Sequence, residues 1–158
     1  MLKKKYIVTN AINIYENYEK LFSYRLKDPV LSRTSYFLIF PCGHSNVNSI
    51  NLKDLNLIVN YLLNNNKNVK IVLNIKDLYK YKNHFDNDLF EIYKNSRDLY
   101  NILKIDAKVI SSDTSSYHLS VLFRKETFLY KIVNPYFFPK QFKDKYLLDG
   151  TKNINILF

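Results

Sequence analysis

Residues 35–75, SYFLIFPCGHSNVNSINLKDLNLIVNYLLNNNKNVKIVLNI, decide the fold that this chain is expected to adopt. The apolar segment 35–40 predicts a buried strand, and the proline and glycine that follow it predict a turn. Apolar residues then recur at helical spacing over 52–63, which predicts an amphipathic helix. Segment 69–75 is apolar on both faces in its middle, as in a parallel sheet that helices cover. We therefore expect a strand–helix–strand unit at the centre of the fold.

The start of the predicted central helix has its own signals. Segment 49–52 (SINL) resembles a short strand that runs directly into the helix. Asn51 has the side chain that commonly caps a helix, because its carbonyl oxygen can accept a free backbone N–H of the first turn. Asp54 then lies in the first turn, where a carboxylate favours the helix dipole.

The same alternation extends outward along the chain. Apolar periodicity over 11–26 and over about 86–104 predicts two further helices, and AKVISS at 107–112 predicts another strand. Segments HLSVLFR at 118–124 and TFLYKIV at 127–133 resemble the arms of an antiparallel hairpin that turns at a Lys-Glu pair.

These elements predict one α/β domain over residues 1–158. Its expected sheet is mixed but largely parallel, with flanking helices and a C-terminal antiparallel hairpin. A basic N-terminal arm (1–6) and a basic, aromatic C-terminal extension (135–158) complete the predicted organisation.

The composition indicates a folded and strongly basic protein. Apolar residues make up 47% of the chain, and 24 Lys+Arg against 14 Asp+Glu give a formal net charge of +10. Such a surplus attracts polyanions without regard to their sequence. Abundant Asn, Lys, Ile and Tyr, with 2 Gly and 4 Pro, indicate an AT-rich genome, that of an organelle, an endosymbiont, a parasite or a virus.

Several classes of protein are not expected. No apolar run approaches the length that spans a bilayer, so we predict no membrane insertion. One cysteine excludes an internal disulfide framework and a multi-cysteine zinc site. The N-terminus MLKKKYIV lacks the apolar core of a signal peptide and the Arg- and Ser-rich look of a transit peptide. If the protein works in an organelle, we therefore expect it to be made there, with no targeting peptide. No cofactor is expected.

Basic residues beside aromatic ones suggest contact with RNA. Lysine neutralises phosphate, and exposed aromatic rings stack on unpaired bases. Such pairs gather near the two ends of the chain. The candidate RNA-binding residues are Lys3, Lys4, Lys5, Arg33, Lys140, Lys143 and Lys145.

Two blocks of sequence resemble the bacterial-type small-subunit ribosomal protein S-two family. The first is the aromatic-apolar strand, polar loop, helix and NVKIVLN strand of 35–74, and the second is LYNILKIDAKVISSDTSS at 99–116, with Ser115 where that family has Asn. The family's Gly-rich middle section and coiled-coil insertion are missing. The resemblance implies a structural, non-enzymatic component of a mitochondrial small ribosomal subunit, with rRNA and neighbouring ribosomal proteins as partners.

A second resemblance is to papain-like cysteine peptidases. Cys42, His118 and Asn134 follow their order of nucleophile, base and orienting amide, and His118 to Asn134-Pro135 resembles their His-strand-turn-strand-Asn-Pro segment. Tyr36 stands where those enzymes have an oxyanion donor. The resemblance implies a cysteine hydrolase or transferase as the alternative function.

Two other interpretations complete the set. Cys42 and His44 lie two residues apart, and two such ligands do not close a tetrahedral metal site, so no metal is expected. A lineage-specific scaffold subunit of another organellar complex is a further alternative to the ribosomal interpretation.

Overall fold

A five-stranded sheet in which every pairing is parallel forms the centre of a single α/β domain. The computed structural model describes residues 29–43, 45–131 and 143–158. The strands are β1 (Tyr36–Phe40), β2 (Asn68–Asn74), β3 (Phe90–Tyr93), β4 (Lys108–Ser111) and β5 (Thr127–Leu129), and the helices are α1 (Leu52–Asn64), α2 (Ser96–Lys104), α3 (Ser115–Leu122) and α4 (Lys143–Tyr146).

The strand order is β3-β2-β1-β4-β5, so the chain builds the sheet outward from β1 in both directions. Phe37 of β1 aligns with Val69 of β2 on one side and with Lys108 of β4 on the other. This is the doubly wound arrangement, in which ligands bind outside the carboxyl ends of the two strands where the order reverses. Here those strands are β1 and β4.

Alternate residues of β1 supply the two faces of the sheet. Phe37 and Ile39 belong to one buried cluster, and Leu38 and Phe40 belong to the other. The first cluster includes the apolar side of α1 and residues near the C-terminus, whereas the second includes α2. Leu55, Ile58, Val59 and Leu62 are the buried residues of α1, and Ile102 and Leu103 are those of α2.

The predicted cap of the central helix is confirmed. The backbone N–H of Asp54 donates to Asn51 Oδ1 at 2.9 Å, and α1 begins at Leu52. The predicted short strand over 49–52 is wrong, because the cap hydrogen bond commits this segment to the start of the helix.

The predicted helix over about 86–104 is correct only in its second half. Phe90–Tyr93 is a strand that pairs with β2, with Ile71 opposite Phe90, and α2 begins at Ser96 after its cap Asn95. Apolar residues at 89, 92 and 93 fit a helical period as well as a strand, so only the pairing with β2 decides between them.

The predicted antiparallel hairpin over 118–133 is also wrong. His118 lies in α3, and β5 runs parallel to β4, with Val109 opposite Thr127. Parallel neighbours need a crossover between them, and α3 provides it. Arg124 then adopts a left-handed backbone (φ 55°) and ends the helical path, which returns the chain to the sheet.

Several predictions fall on parts of the chain outside the described residues: the helix at 11–26, the basic arm 1–6, and residues 135–142 of the C-terminal extension. Within the described ranges, no helix has both the length and the apolarity to cross a bilayer.

Candidate functional site

The carboxyl ends of β1 and β4 are joined through Ser112. Its backbone N–H donates to the Phe40 carbonyl oxygen (N···O 3.1 Å), and its hydroxyl donates to the Cys42 carbonyl oxygen (3.1 Å). After β1 the chain enters α1, which packs on one face of the sheet. After β4 it enters α3, which contributes Tyr117 and Val121 to the cluster on that same face, whereas Leu119 and Phe123 pack on the other face. We call the region at the carboxyl edge of the sheet between residues 41–43 and 45–50 after β1 and residues 112–116 after β4 the switch-point crevice.

The loop after β1 is closed on itself by hydrogen bonds. The Ile50 N–H donates to the Pro41 carbonyl (2.8 Å), the Gly43 N–H donates to Ser49 Oγ (2.9 Å), and Ser49 Oγ donates to the Ser45 carbonyl (2.9 Å). A Cβ on Gly43 would lie 2.7 Å from the carbonyl carbon of Asn48. Glycine is therefore required by the tight folding of this loop. His44 lies outside the described residues.

The segment after β4 carries a buried cluster of hydroxyl groups at the opposite wall of the crevice. Ser116 Oγ lies 3.0 Å from Ser111 Oγ and 2.7 Å from Thr114 Oγ1, and Ser120 Oγ donates to the Ser116 carbonyl (2.7 Å). We call these residues with Ser112 the hydroxyl cluster; all five are buried. Ser111, Ser112 and Ser120 are fully buried and donate to backbone carbonyl oxygens, so Thr114 and Ser116, at 8% and 9% exposure, are the members of the cluster nearest to solvent. A hydroxyl can donate to or accept from an oxygen-rich ligand.

The N-terminus of α3 lies within the hydroxyl cluster. Its N-cap is Thr114, whose side chain makes no capping hydrogen bond to the helix backbone. The first backbone N–H groups of a helix have no partner inside it, and the helix dipole adds partial positive charge there. This end of α3 follows β4 directly, so it lies at the carboxyl edge of the sheet, where phosphates bind in doubly wound folds.

Cys42 lies at the lip of the crevice with a protonated thiol. Its Sγ donates to the Tyr81 hydroxyl at 3.5 Å. Burial raises the pKa of the Cys42 thiol, and the hydrogen bond with Tyr81 opposes that rise only in part. Burial likewise raises the pKa of Tyr81. An activated cysteine has a lowered pKa, so this environment is the opposite of the one that a nucleophile needs.

Of the other members of the papain-like set, the structure describes His118, which is not placed as that resemblance implies. His118 lies on α3 rather than on a strand, and its ring contacts that of Tyr117 with centroids 5.5 Å apart. Asn134 lies outside the described residues. The three-residue site therefore stays a prediction, although the hairpin on which it was based is absent.

A polar cluster joins the start of α1 to the end of β5. The Tyr130 hydroxyl donates to Asp54 Oδ2, and Asn51 Nδ2 donates both to Asp54 Oδ2 (3.0 Å) and to the Tyr130 hydroxyl (2.9 Å). Burial, followed by the hydrogen bond to Asp54, raises the pKa of Tyr130. Asp54 and Tyr130 are far apart in the sequence, and no local pattern links them. The sequence predicted the cap but missed the tyrosine.

The predicted RNA-binding residues are described only in part. Arg33 precedes β1 and is exposed, Lys145 on α4 is exposed, and Lys143 begins α4. Lys3, Lys4, Lys5 and Lys140 lie outside the described residues. Within the described ranges, no group of three or more His, Cys, Asp or Glu side chains is placed to hold a metal ion.

The comparisons with known proteins bear on the fold. No family model matches the chain, and no curated protein matches it. The structure is similar to that of E. coli heptosyltransferase WaaC with ADP-2-deoxy-2-fluoro heptose, with a TM-score of 0.53 and 14% sequence identity. The match covers 87% of this chain and 42% of the heptosyltransferase. This chain therefore spans less than half the length of that protein, and the likeness shows the fold alone.

Proposed function

We propose that the switch-point crevice binds a nucleotide sugar through its phosphates. The observation that carries this proposal is the reversal of strand order between β1 and β4, where the hydroxyl cluster and the start of α3 lie together. In doubly wound sheets, the crevice at the reversal is the general ligand site. The ligand class follows from the groups present, because hydroxyls and a helix N-terminus together favour an anion that is rich in oxygen.

Two further observations support this choice of ligand. The formal net charge of +10 favours the approach of any anion. The similar heptosyltransferase structure holds ADP-2-deoxy-2-fluoro heptose, which is a diphosphate that joins a nucleoside to a sugar. On this proposal the chain supplies the donor-binding part of a sugar transfer, and the nucleoside and the sugar remain to be identified by experiment.

The test is a calorimetric titration with adenosine, AMP, ADP and an ADP-sugar. We expect ADP and the ADP-sugar to bind and adenosine to bind far more weakly, because the phosphates provide the contacts. Equal affinity for adenosine and ADP would contradict the proposal. So would a protein that binds none of the adenine nucleotides and neither the uridine nor the guanosine diphosphate.

A matched pair of threonine variants locates the site. Thr114→Val removes a hydroxyl of the cluster, and we expect it to weaken ADP binding by about tenfold, the usual effect of one hydrogen bond to a charged group. Thr127→Val is the control, because Thr127 is equally buried but its hydroxyl donates to the Lys125 carbonyl at the amino end of β5. If both variants weaken ADP binding equally, the crevice is not the site.

A second candidate function is the ribosomal one. On this candidate, the protein is a component of a mitochondrial small ribosomal subunit and contacts rRNA through basic residues. The net charge and the exposed Arg33 and Lys145 favour this candidate. Sedimentation of the native protein from its source, with and without RNase, tests it. Comigration with a ribosomal subunit that is lost after RNase treatment would support this candidate. A light, RNase-indifferent protein would exclude it.

A further inference from the structure

We propose that Tyr130 is a positioning residue that fixes the two walls of the switch-point crevice relative to each other, so that a diphosphate fits between them. This inference rests on the proposed function and names a residue outside the crevice loops. Tyr130 directly follows β5, and its side chain is 2% exposed. The Tyr130 hydroxyl is occupied by Asn51 and Asp54, so any effect of Tyr130 on binding acts through those residues.

The first contact of Tyr130 is with the wall that α1 forms. Its hydroxyl donates to Asp54 Oδ2 and accepts from Asn51 Nδ2 at 2.9 Å. Asn51 is the cap of α1 and the last residue of the chain between β1 and that helix. The phenol therefore holds the point at which the β1 loop enters α1.

The second contact is with the wall that follows β4. The backbone N–H of Tyr130 donates to the Ser111 carbonyl (2.9 Å), and Ser111 Oγ lies 3.0 Å from Ser116 Oγ in the first turn of α3. The Gly150 N–H donates to the Tyr130 carbonyl (2.8 Å), which holds the same residue from a third side. One residue thus connects the start of α1 with the start of α3.

The charge of Asp54 gives this link a second consequence. A carboxylate beside the crevice opposes an anionic ligand, and the opposition grows with the charge of that ligand. Donors that bond the carboxylate spread its charge and hold it in place. Loss of the Tyr130 hydroxyl removes one of the two side-chain donors to Asp54. We therefore expect ADP to be affected more than AMP.

The test compares AMP and ADP affinities of Tyr130→Phe with those of wild type, measured by calorimetry. We expect ADP binding to weaken about tenfold and AMP binding to weaken less than about threefold, because the less shielded charge of Asp54 opposes the diphosphate more strongly than the monophosphate. Tyr61→Phe is the control, because Tyr61 lies at the other end of α1 with its ring stacked on Phe158 (centroids 5.3 Å apart). That variant should leave both affinities unchanged.

Adding Asp54→Asn to Tyr130→Phe gives a rescue. The double variant lacks the carboxylate charge, so its affinity for ADP should recover at least in part. If Tyr130→Phe weakened ADP binding only by unfolding the protein, the second substitution would weaken it further. A Tyr130→Phe protein that binds both nucleotides as wild type does, or that loses both equally without rescue, overturns the role of Tyr130 and leaves the proposed function intact. A wild-type protein that binds neither AMP nor ADP, and binds neither the uridine nor the guanosine diphosphate, overturns both.

Discussion

The two glycines of this chain, Gly43 and Gly150, are required for different physical reasons, and substitutions distinguish those reasons. At Gly43 a Cβ would lie 2.7 Å from two atoms of Asn48 and 2.8 Å from its carbonyl oxygen, distances that real Cβ atoms do not show. At Gly150 a Cβ would make only ordinary van der Waals contact, with the nearest atom 3.7 Å away, but φ is +79°. The first glycine prevents a clash, and the second relieves backbone strain.

The magnitudes follow from these two situations. In Gly43→Ala, two of the clashing atoms belong to the backbone, so the loop 43–49 must move and weaken its hydrogen bonds; overpacking of this kind costs about 1–3 kcal/mol. At about 2–4 °C per kcal/mol for a chain of this size, the melting temperature should fall by roughly 2–12 °C. Gly150→Ala should cost about 1–2 kcal/mol, the usual strain of an L-residue in a left-handed conformation.

Substituting asparagine at each glycine separates the two reasons. Asparagine tolerates the left-handed region, so Gly150→Asn should cost less than Gly150→Ala. At Gly43 asparagine is bulkier without any benefit, so Gly43→Asn should cost at least as much as Gly43→Ala. Urea unfolding at 25 °C gives the free energy of unfolding of all four variants. The reasoning is refuted if Gly43→Ala stays within about 0.5 kcal/mol of wild type, the range of neutral surface changes, or if asparagine is the better replacement at both glycines.

Three further predictions test the remaining parts of the structure. Leu62→Ala should lower the free energy of unfolding by about 2–5 kcal/mol, because the Leu62 side chain is fully buried. The same change at the neighbouring Leu63, which is 41% exposed, should lower it by less than about 1 kcal/mol. Similar losses for the two variants in urea unfolding would mean that α1 packs in another orientation. Alkylation of Cys42 should be slow at pH 7 and should accelerate as the pH rises past the ordinary thiol range, because burial raises the pKa of the Cys42 thiol and the thiolate is the reacting form. The substitution His118→Ala should leave this pH profile unchanged. A fast reaction at neutral pH that His118→Ala abolishes would instead support the papain-like alternative. Asn95→Ala should lower the free energy of unfolding by about 1 kcal/mol, because the Asn95 side chain accepts hydrogen bonds from the N–H groups of Arg97 and Asp98 at the start of α2. An unchanged free energy in urea unfolding would mean that water replaces the cap.

The errors in the predicted secondary structure have one physical origin. Apolar residues at 89–93 and at 117–123 fit both a helix and a strand over such short lengths. At the first position the chain became a strand because the edge of β2 was free to pair with it. At the second it became a helix because β5 lies parallel to β4, and a parallel neighbour requires a crossover. In both cases the deciding contact lies outside the segment.

The candidate site was predictable only in pieces. The cap Asn51 and the tight turn at Gly43 have local signals, and the polar run SSDTSS directly after a buried strand marks a strand end. The function of that run depends on its neighbours. Ser112 bonds to Cys42, 70 residues earlier in the chain, and Tyr130 bonds to Asp54, 76 residues earlier.

The sequence by itself determined the central strand–helix–strand unit, its Asn51 cap and the apolar face of α1, because these depend on residue spacing within one turn or one strand. Only the tertiary structure decided the order β3-β2-β1-β4-β5 and, with it, the place where the order reverses. Strand order depends on which edges remain free as the chain folds, and that information is spread over the whole domain. The switch-point crevice and the link through Tyr130 are consequences of that order.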